Sequence, residues 1–240
     1  MTQERKPLIL CLHGLGSSAE IFKAQTYHIR HHLRDRFELV YVDGPYKCGP
    51  GPEILPTFEG CGPFYRWTEE HEEAYDPDVY DHSGADKSAG LRSVLADLTP
   101  SISSELWVGV MGFSQGGRVA SGLLKHQSFQ LAQEDGSTQE GPGMMQSQFK
   151  FGVFIHSAYP PLEFPCATSP AYKDHIIDIA ALHIHGLRDK SLEIQRRLVS
   201  CFTGAGRAHL EFDVGHVIPA KEEDVKAITE HVLSLKHAVV

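Results

Sequence analysis

The residues best suited to chemistry are the five of Gly112-Phe113-Ser114-Gln115-Gly116. Two glycines flanking a central serine at this spacing permit a tight turn with a hydroxyl at its tip. The pattern alone is weak, but its surroundings are specific. The apolar run Leu106–Met111 leads directly into it, and a helical pattern with Val119, Leu123 and Leu124 follows. A strand, a sharp turn and a helix project Ser114 Oγ above a sheet edge. The hydroxyl then lies beside a helix N-terminus, whose dipole favours developing negative charge.

A serine hydroxyl is a poor nucleophile without a base. The chain holds 15 histidines, so position must decide. His216, in Asp213-Val214-Gly215-His216, follows the last apolar run and precedes the final helical pattern. His183 and His185 alternate within a strand, and His28, His31, His32, His231 and His237 fall on helices. His13 and His156 end strands and suit a pocket lining better than the role of base. The acid that orients the base belongs between serine and histidine, after a strand. Asp189, in His185-Gly186-Leu187-Arg188-Asp189, fits, with Asp213 as its main rival. Asp174 and Asp178 precede the fifth strand, at the wrong edge. Donors for an oxyanion complete the set. The Gly-rich turn Leu12-His13-Gly14-Leu15-Gly16-Ser17 offers the Leu15 N–H, and the residue after the nucleophile offers the Gln115 N–H. That turn lacks the spacings of phosphate-binding loops.

These groups need a scaffold that brings distant loops to one edge. Six short apolar runs read as buried strands: Leu8–His13, Glu38–Val42, Leu106–Phe113, Phe149–Ser157, Ala181–His185 and His209–Asp213. Helical patterns lie among them at Ala19–Leu33, Asp86–Leu98, Gln115–Lys125, Leu192–Phe202 and Glu222–His237. Such alternation predicts a mostly parallel sheet with helices on both faces. Right-handed crossovers then collect the strand C-termini at one edge, where sites form. Residues 1–240 read as a single α/β domain with two interruptions. Residues 44–83, rich in Gly, Pro and aromatics, read as a long loop or lid. The polar stretch 132–148 reads as a flexible insertion.

Composition narrows the function. With 22 Lys+Arg against 31 Asp+Glu, the net charge is −9, which argues against nucleic-acid binding. No apolar run approaches the roughly 18 residues that span a bilayer, so no stable membrane insertion is expected. Residues 1–6 lack the features of a signal peptide. The five cysteines are odd in number and widely spaced, which fits reduced thiols better than disulfides or a zinc site. Cytosol is the expected location.

The stretches Leu8–Gly16, Val40–Pro45, Gly112–Gly117, Gly186–Asp189 and Gly215–His216 together resemble the fungal-type serine hydrolases of the α/β-hydrolase fold. The resemblance spans nearly the whole chain. Gly51–Pro56 and Gly62–Trp67 look closest to one branch, the stand-alone thioesterases of fungal polyketide clusters, similar to the lovastatin-pathway hydrolase. The resemblance implies about six strands, no large cap domain, and Ser114, Asp189 and His216 as the catalytic groups. It also implies an acyl or polyketide thioester substrate delivered on the acyl carrier protein of a synthase. The chemistry requires no metal or organic cofactor. Phe58, Phe64, Tyr65 and Trp67 are expected to wall an acyl channel. The basic segment Tyr27–Phe37, with Arg30, His31, His32, Arg34 and Arg36, reads as a solvated face or a dock for an acidic carrier. A general carboxylesterase or acyl-thioesterase using the same triad is the alternative, and a non-catalytic binding member ranks last.

Overall fold

The computed structural model describes residues 5–69, 89–98, 106–133, 149–164, 170–203 and 207–237. Six strands form one parallel sheet: β1 (Leu8–Leu12), β2 (Glu38–Val42), β5 (Trp107–Phe113), β6 (Phe151–Ile155), β7 (Ala180–Gly186) and β8 (Ala208–Phe212). Their order is β2-β1-β5-β6-β7-β8, so β5 lies centrally. Each matches one of the six apolar runs to within two residues at either end. Parallel strands covered on both faces bury every position, and β1 and β6 are buried throughout.

Alternate residues of β1 divide between two cores. Leu8, Leu10 and Leu12 pack with Leu91 and Leu95 of α3 (Ala89–Leu98), Val119 and Leu123 of α4 (Gln115–Gln133), and Leu198 of α6 (Leu192–Val199). Ile9 and Cys11 pack on the other face. Their neighbours there are Phe22 of α1 (Ala19–Gln25), Ile29 and Leu33 of α2 (Tyr27–Leu33), and Val225, Ile228, Val232 and Leu235 of α7 (Glu222–His237). The sheet is therefore a layer between two helical layers.

The expected single helix over Ala19–Leu33 is instead two helices. Thr26 separates them with φ −92° and ψ 15°. Its hydroxyl bonds the Phe22 carbonyl at 2.7 Å and also meets the Tyr41 hydroxyl at 2.7 Å, so its side chain competes for the helix's own acceptors. α4 runs eight residues beyond the expected Lys125. A fifteen-residue remainder of the expected insertion, 134–148, lies outside the described residues. A short helix, α5 (Pro170–Lys173), was not expected.

Residues 44–69 are not a structureless loop. β3 (Tyr46–Cys48) and β4 (Phe64–Arg66) form an antiparallel hairpin with Tyr46 opposite Arg66. Tyr65 then pairs with Ser17 across an isolated bridge. Residues 70–83 of the expected lid lie outside the described residues. So does Cys166; Cys11, Cys48, Cys61 and Cys201 are free thiols. Among the described residues, no helix is long and apolar enough to cross a membrane.

Candidate active site

Ser114 sits between β5 and α4 with φ +52°, in the left-handed region that side chains rarely adopt. The sequence permits this because its glycines let chains approach closely. A β-carbon at Gly112 would collide with the Gly116 carbonyl, and one at Gly116 would collide with the Leu12 carbonyl of β1. The turn is held on both sides: Ser114 N–H donates to Ile155 O of β6 at 2.9 Å, and Gly117 N–H donates to Ser114 O at 3.0 Å.

His216 and Asp189 meet across the loops that follow β8 and β7. His216 Nδ1 lies 2.6 Å from Asp189 Oδ2. This leaves Nε2 as the ring nitrogen free for Ser114, and both residues line one cleft of about 510 Å³. Asp189 is buried and heavily bonded. Its Oδ1 accepts from Ser191 N–H at 2.9 Å and Ser191 Oγ–H at 2.7 Å, and its Oδ2 accepts from Gln195 Nε2 at 2.6 Å. Burial works to raise the carboxyl's pKa. The bonds from His156, His216 and Ser191 outweigh it and hold Asp189 well below the usual carboxylate range. Asp213 instead forms an exposed ion pair with Arg188 Nε at 2.9 Å. Asp174 lines a separate cavity with Lys125, Tyr159 and Cys201. Of the four acids weighed, only Asp189 reaches His216.

A serine on a strained turn, with a histidine whose Nδ1 is held by a buried carboxylate, is the geometry of acyl transfer through a covalent intermediate. The family model described as Serine hydrolase (FSH1) matches residues 1–228. The chain belongs to the FSH1 serine hydrolase family. A probable esterase of Aspergillus terreus is 33% identical over 233 residues, covering 95% of this chain and 89% of that protein. Esterase pigG of Monascus ruber is 29% identical over 260 residues, covering 95% and 91%. Among solved structures, Zea mays acyl-protein thioesterase 2 aligns with TM-score 0.60 at 16% identity, over 98% of this chain and 95% of that one. The Bacillus cereus carboxylesterase aligns with TM-score 0.57 at 14% identity, over 96% and 89%. At those identities the likeness shows the α/β-hydrolase fold alone.

In this FSH1-family chain the expected aromatic wall is displaced. None of Phe58, Phe64, Tyr65 and Trp67 lines the cleft. Trp67 is fully buried, with its ring 5.0 Å from that of His13. Its indole N–H donates to His13 O at 2.8 Å, and its backbone N–H donates to Gln115 Oε1 at 3.0 Å. Tyr65 lends its backbone: its N–H donates to Ser17 O at 2.7 Å, and its carbonyl accepts from Gly16 N–H at 3.0 Å. Phe64 pairs opposite Cys48 in the hairpin, and Phe58 N–H donates to Ile54 O at 2.9 Å. The loop therefore braces the turn carrying Leu15 instead of walling the cleft with its rings. The wall comes from Pro52, Glu53 and Ile54 of the same loop, with Leu15, Phe113, Ala158 and Ile194. Leu15 and Gln115, the expected oxyanion donors, both line the cleft beside Ser114.

His13 and His156, both expected at a pocket, differ. His13 is buried under the Gly-rich turn, with Nδ1 2.7 Å from Gly14 O and Nε2 accepting from Gly44 N–H at 2.9 Å. Burial pushes its pKa down to about 4, against opposing effects of the Gly14 bond and Asp43. His156 lines the cleft and touches Asp189, which sequence reasoning did not foresee. Gln195 and Ser191, the other supports of Asp189, were also missed. Their only signal was their place one turn apart at the start of the Leu192 helix. Among the described residues, His156, Asp189 and His216 are the one group that brings three metal-ligating side chains together. Asp189 Oδ2 is the atom that both histidines approach.

The basic segment lies elsewhere. Arg30 and Arg34 line a shallow cavity with Arg5, Lys6, Phe37 and Glu38, at the N-terminal ends of β1 and β2. Ser114 lies past the C-terminal end of β5, at the opposite edge of the sheet.

Proposed function

We propose that this serine hydrolase cleaves an acyl thioester, releasing a polyketide-type chain as its free acid. The observation that carries the reading is the 2.6 Å bond between His216 Nδ1 and Asp189 Oδ2, in a cleft shared with Ser114 and an apolar inner wall. His216 Nε2 takes the proton of Ser114 as its oxygen attacks the acyl carbonyl. The Leu15 and Gln115 N–H groups receive the oxyanion. Collapse of the tetrahedral adduct expels the thiolate, which takes the proton from His216. Water, deprotonated by His216, then attacks the acyl-serine; Ser114 leaves with that proton and the acid is released. Asp189 fixes the tautomer of His216 throughout.

Substrate class is supported by three half-exposed apolar residues, each next in sequence to a cleft residue: Leu55 beside Ile54, Leu187 beside Arg188 and Val217 beside His216. Exposed apolar side chains flanking the cleft residues in sequence suit a long acyl chain. The Gly51–Pro56 and Gly62–Trp67 motifs support a polyketide thioester, and an acyl carrier protein of a synthase as its donor. Oxoester hydrolysis is the second reading, favoured by the names of the fungal relatives, which are esterases.

The test compares N-acetylcysteamine thioesters and p-nitrophenyl esters of increasing chain length, for the natural enzyme and Ser114→Ala. Preference for long thioesters, lost in Ser114→Ala, is expected. Faster cleavage of short oxoesters gives the esterase reading precedence. Undiminished activity in Ser114→Ala removes the mechanism altogether.

A further inference from the structure

His156 ends β6, next to the serine turn in the sheet, and is buried. Its φ is +49°, so it shares with Ser114 the left-handed backbone found at the two adjoining strand ends. Its backbone N–H donates to Ile184 O at 2.9 Å, which fixes the ring between two loops. On one side, Nδ1 lies 3.1 Å from Asp189 Oδ2. On the other, Nε2 lies 2.9 Å from Val217 O, the carbonyl of the residue after His216.

A neutral imidazole has one N–H donor and one acceptor nitrogen. His13 faces such a pair, with a carbonyl at one nitrogen and an N–H at the other. His156 faces two acceptors. The Val217 carbonyl has no proton to give. Asp189 Oδ2 already accepts from His216 and Gln195, and its carboxyl is held ionised by its hydrogen bonds. Both acceptors are met at once only when both ring nitrogens donate, which only the imidazolium can do.

We propose that His156 is a cationic positioning residue: it clamps the His216 loop between Asp189 and Val217 and shares the Asp189 charge with His216. This rests on the reading of Ser114, His216 and Asp189 as the reacting set. Two histidines draw on one carboxylate, and their ring centroids are 5.3 Å apart. Held this way, His156 keeps the His216 loop and the shared carboxylate in register. The other charged or titratable groups around this point are His185 of β7, which lies beside Glu211 of β8, Arg118 of α4, Arg188 and Lys190 after β7, and Glu53 across the cleft.

The experiment uses the full chain and His156→Gln, whose amide can donate to one acceptor but carries no charge. Nitrogen NMR of histidine-labelled protein at pH 7.5 is expected to show one ring with both nitrogens protonated, absent from the His156→Gln spectrum. For a p-nitrophenyl ester, kcat of the variant is expected to fall with KM nearly constant. A purely structural role does not require a doubly protonated ring, so a neutral His156 ring in the natural protein overturns the proposal. So does a variant whose loss comes from KM alone. Activity surviving in Ser114→Ala defeats the reading of the reacting set instead, and leaves the NMR result standing.

Discussion

The indole of Trp67 donates to the carbonyl oxygen of His13 at 2.8 Å, while the same residue's backbone N–H holds the side chain of Gln115 at 3.0 Å. One residue thus joins the two chain segments whose N–H groups flank Ser114. Trp67→Phe keeps the apolar bulk and loses the indole bond, leaving a buried carbonyl without that donor. We expect a stability loss of about 1–3 kcal/mol and a fall in kcat. Chain-length preference on p-nitrophenyl esters should stay as it was, whereas Ile54→Ala should change it. An altered chain-length profile for Trp67→Phe would return the indole to the cleft wall.

Gly16 has φ +64°, and a β-carbon there would strike the backbone of Gly51. Gly16→Ala therefore displaces the turn that presents the Leu15 N–H. Loss of one oxyanion donor costs roughly 10²–10³ in kcat. Kinetics on a short ester should show that loss with Ser114 still labelled, more slowly, by a fluorophosphonate. Wild-type kcat would remove Leu15 from the reaction.

Asp189→Asn leaves His216 without its anionic partner and is expected to lower kcat by about 10⁴. It also bears on acid stability. The folded carboxyl is depressed, so its contribution is full above the unfolded value of about 4 and is lost as pH falls below it. Thermal melts of the natural protein and the variant should therefore start to draw together as pH falls below about 4, and keep doing so at still lower pH. Parallel curves would show that the bonds seen by Asp189 carry no net stabilisation.

His183 is buried between Phe154 and Phe202, with ring centroids 5.0 and 4.9 Å away. Neither of its nitrogens finds a partner among the described residues. Burial first, then the neighbouring His185, Arg207 and His209, push its pKa down to about 3. The unfolded chain binds a proton near pH 6.5 and the folded chain does not, so stability is lost as pH falls from about 6.5 towards 3. His183→Leu should raise Tm by roughly 2–4 °C at pH 7.5, and by more at pH 5. A Tm gain that does not grow on acidification would contradict the neutral, unpartnered state.

The meeting of Ser114, Asp189 and His216 in one cleft was legible because chain order, strand ends and glycine spacing all constrain it. Ser114 stands between Gly112 and Gly116, and Asp189 and His216 each follow an apolar run. The supports were not legible, because they depend on which strands are neighbours. His156 reaches Asp189 only because β6 lies between β5 and β7, and no local pattern encodes that order. The aromatics misled for a related reason. Apolar character says that Trp67 leaves water, not whether it faces an acyl chain or the underside of a turn. The break at Thr26 was hidden too, since the apolar period runs on through it and the partner hydroxyl of Tyr41 is fifteen residues away.

The parallel sheet gives the molecule a front and a back. Chemistry collects where the strands end, and Arg30 of α2 gathers with Arg5 and Arg34 where they begin. An anionic partner held at the back would leave its cargo separated from Ser114 by the length of β1, about 16 Å for five residues, and by the turns at either end. Charge at the back and chemistry at the front are therefore separate features of this sheet, and the loops that line the cleft, at 52–54 and 188–191, are the ones that meet whatever Ser114 acts on.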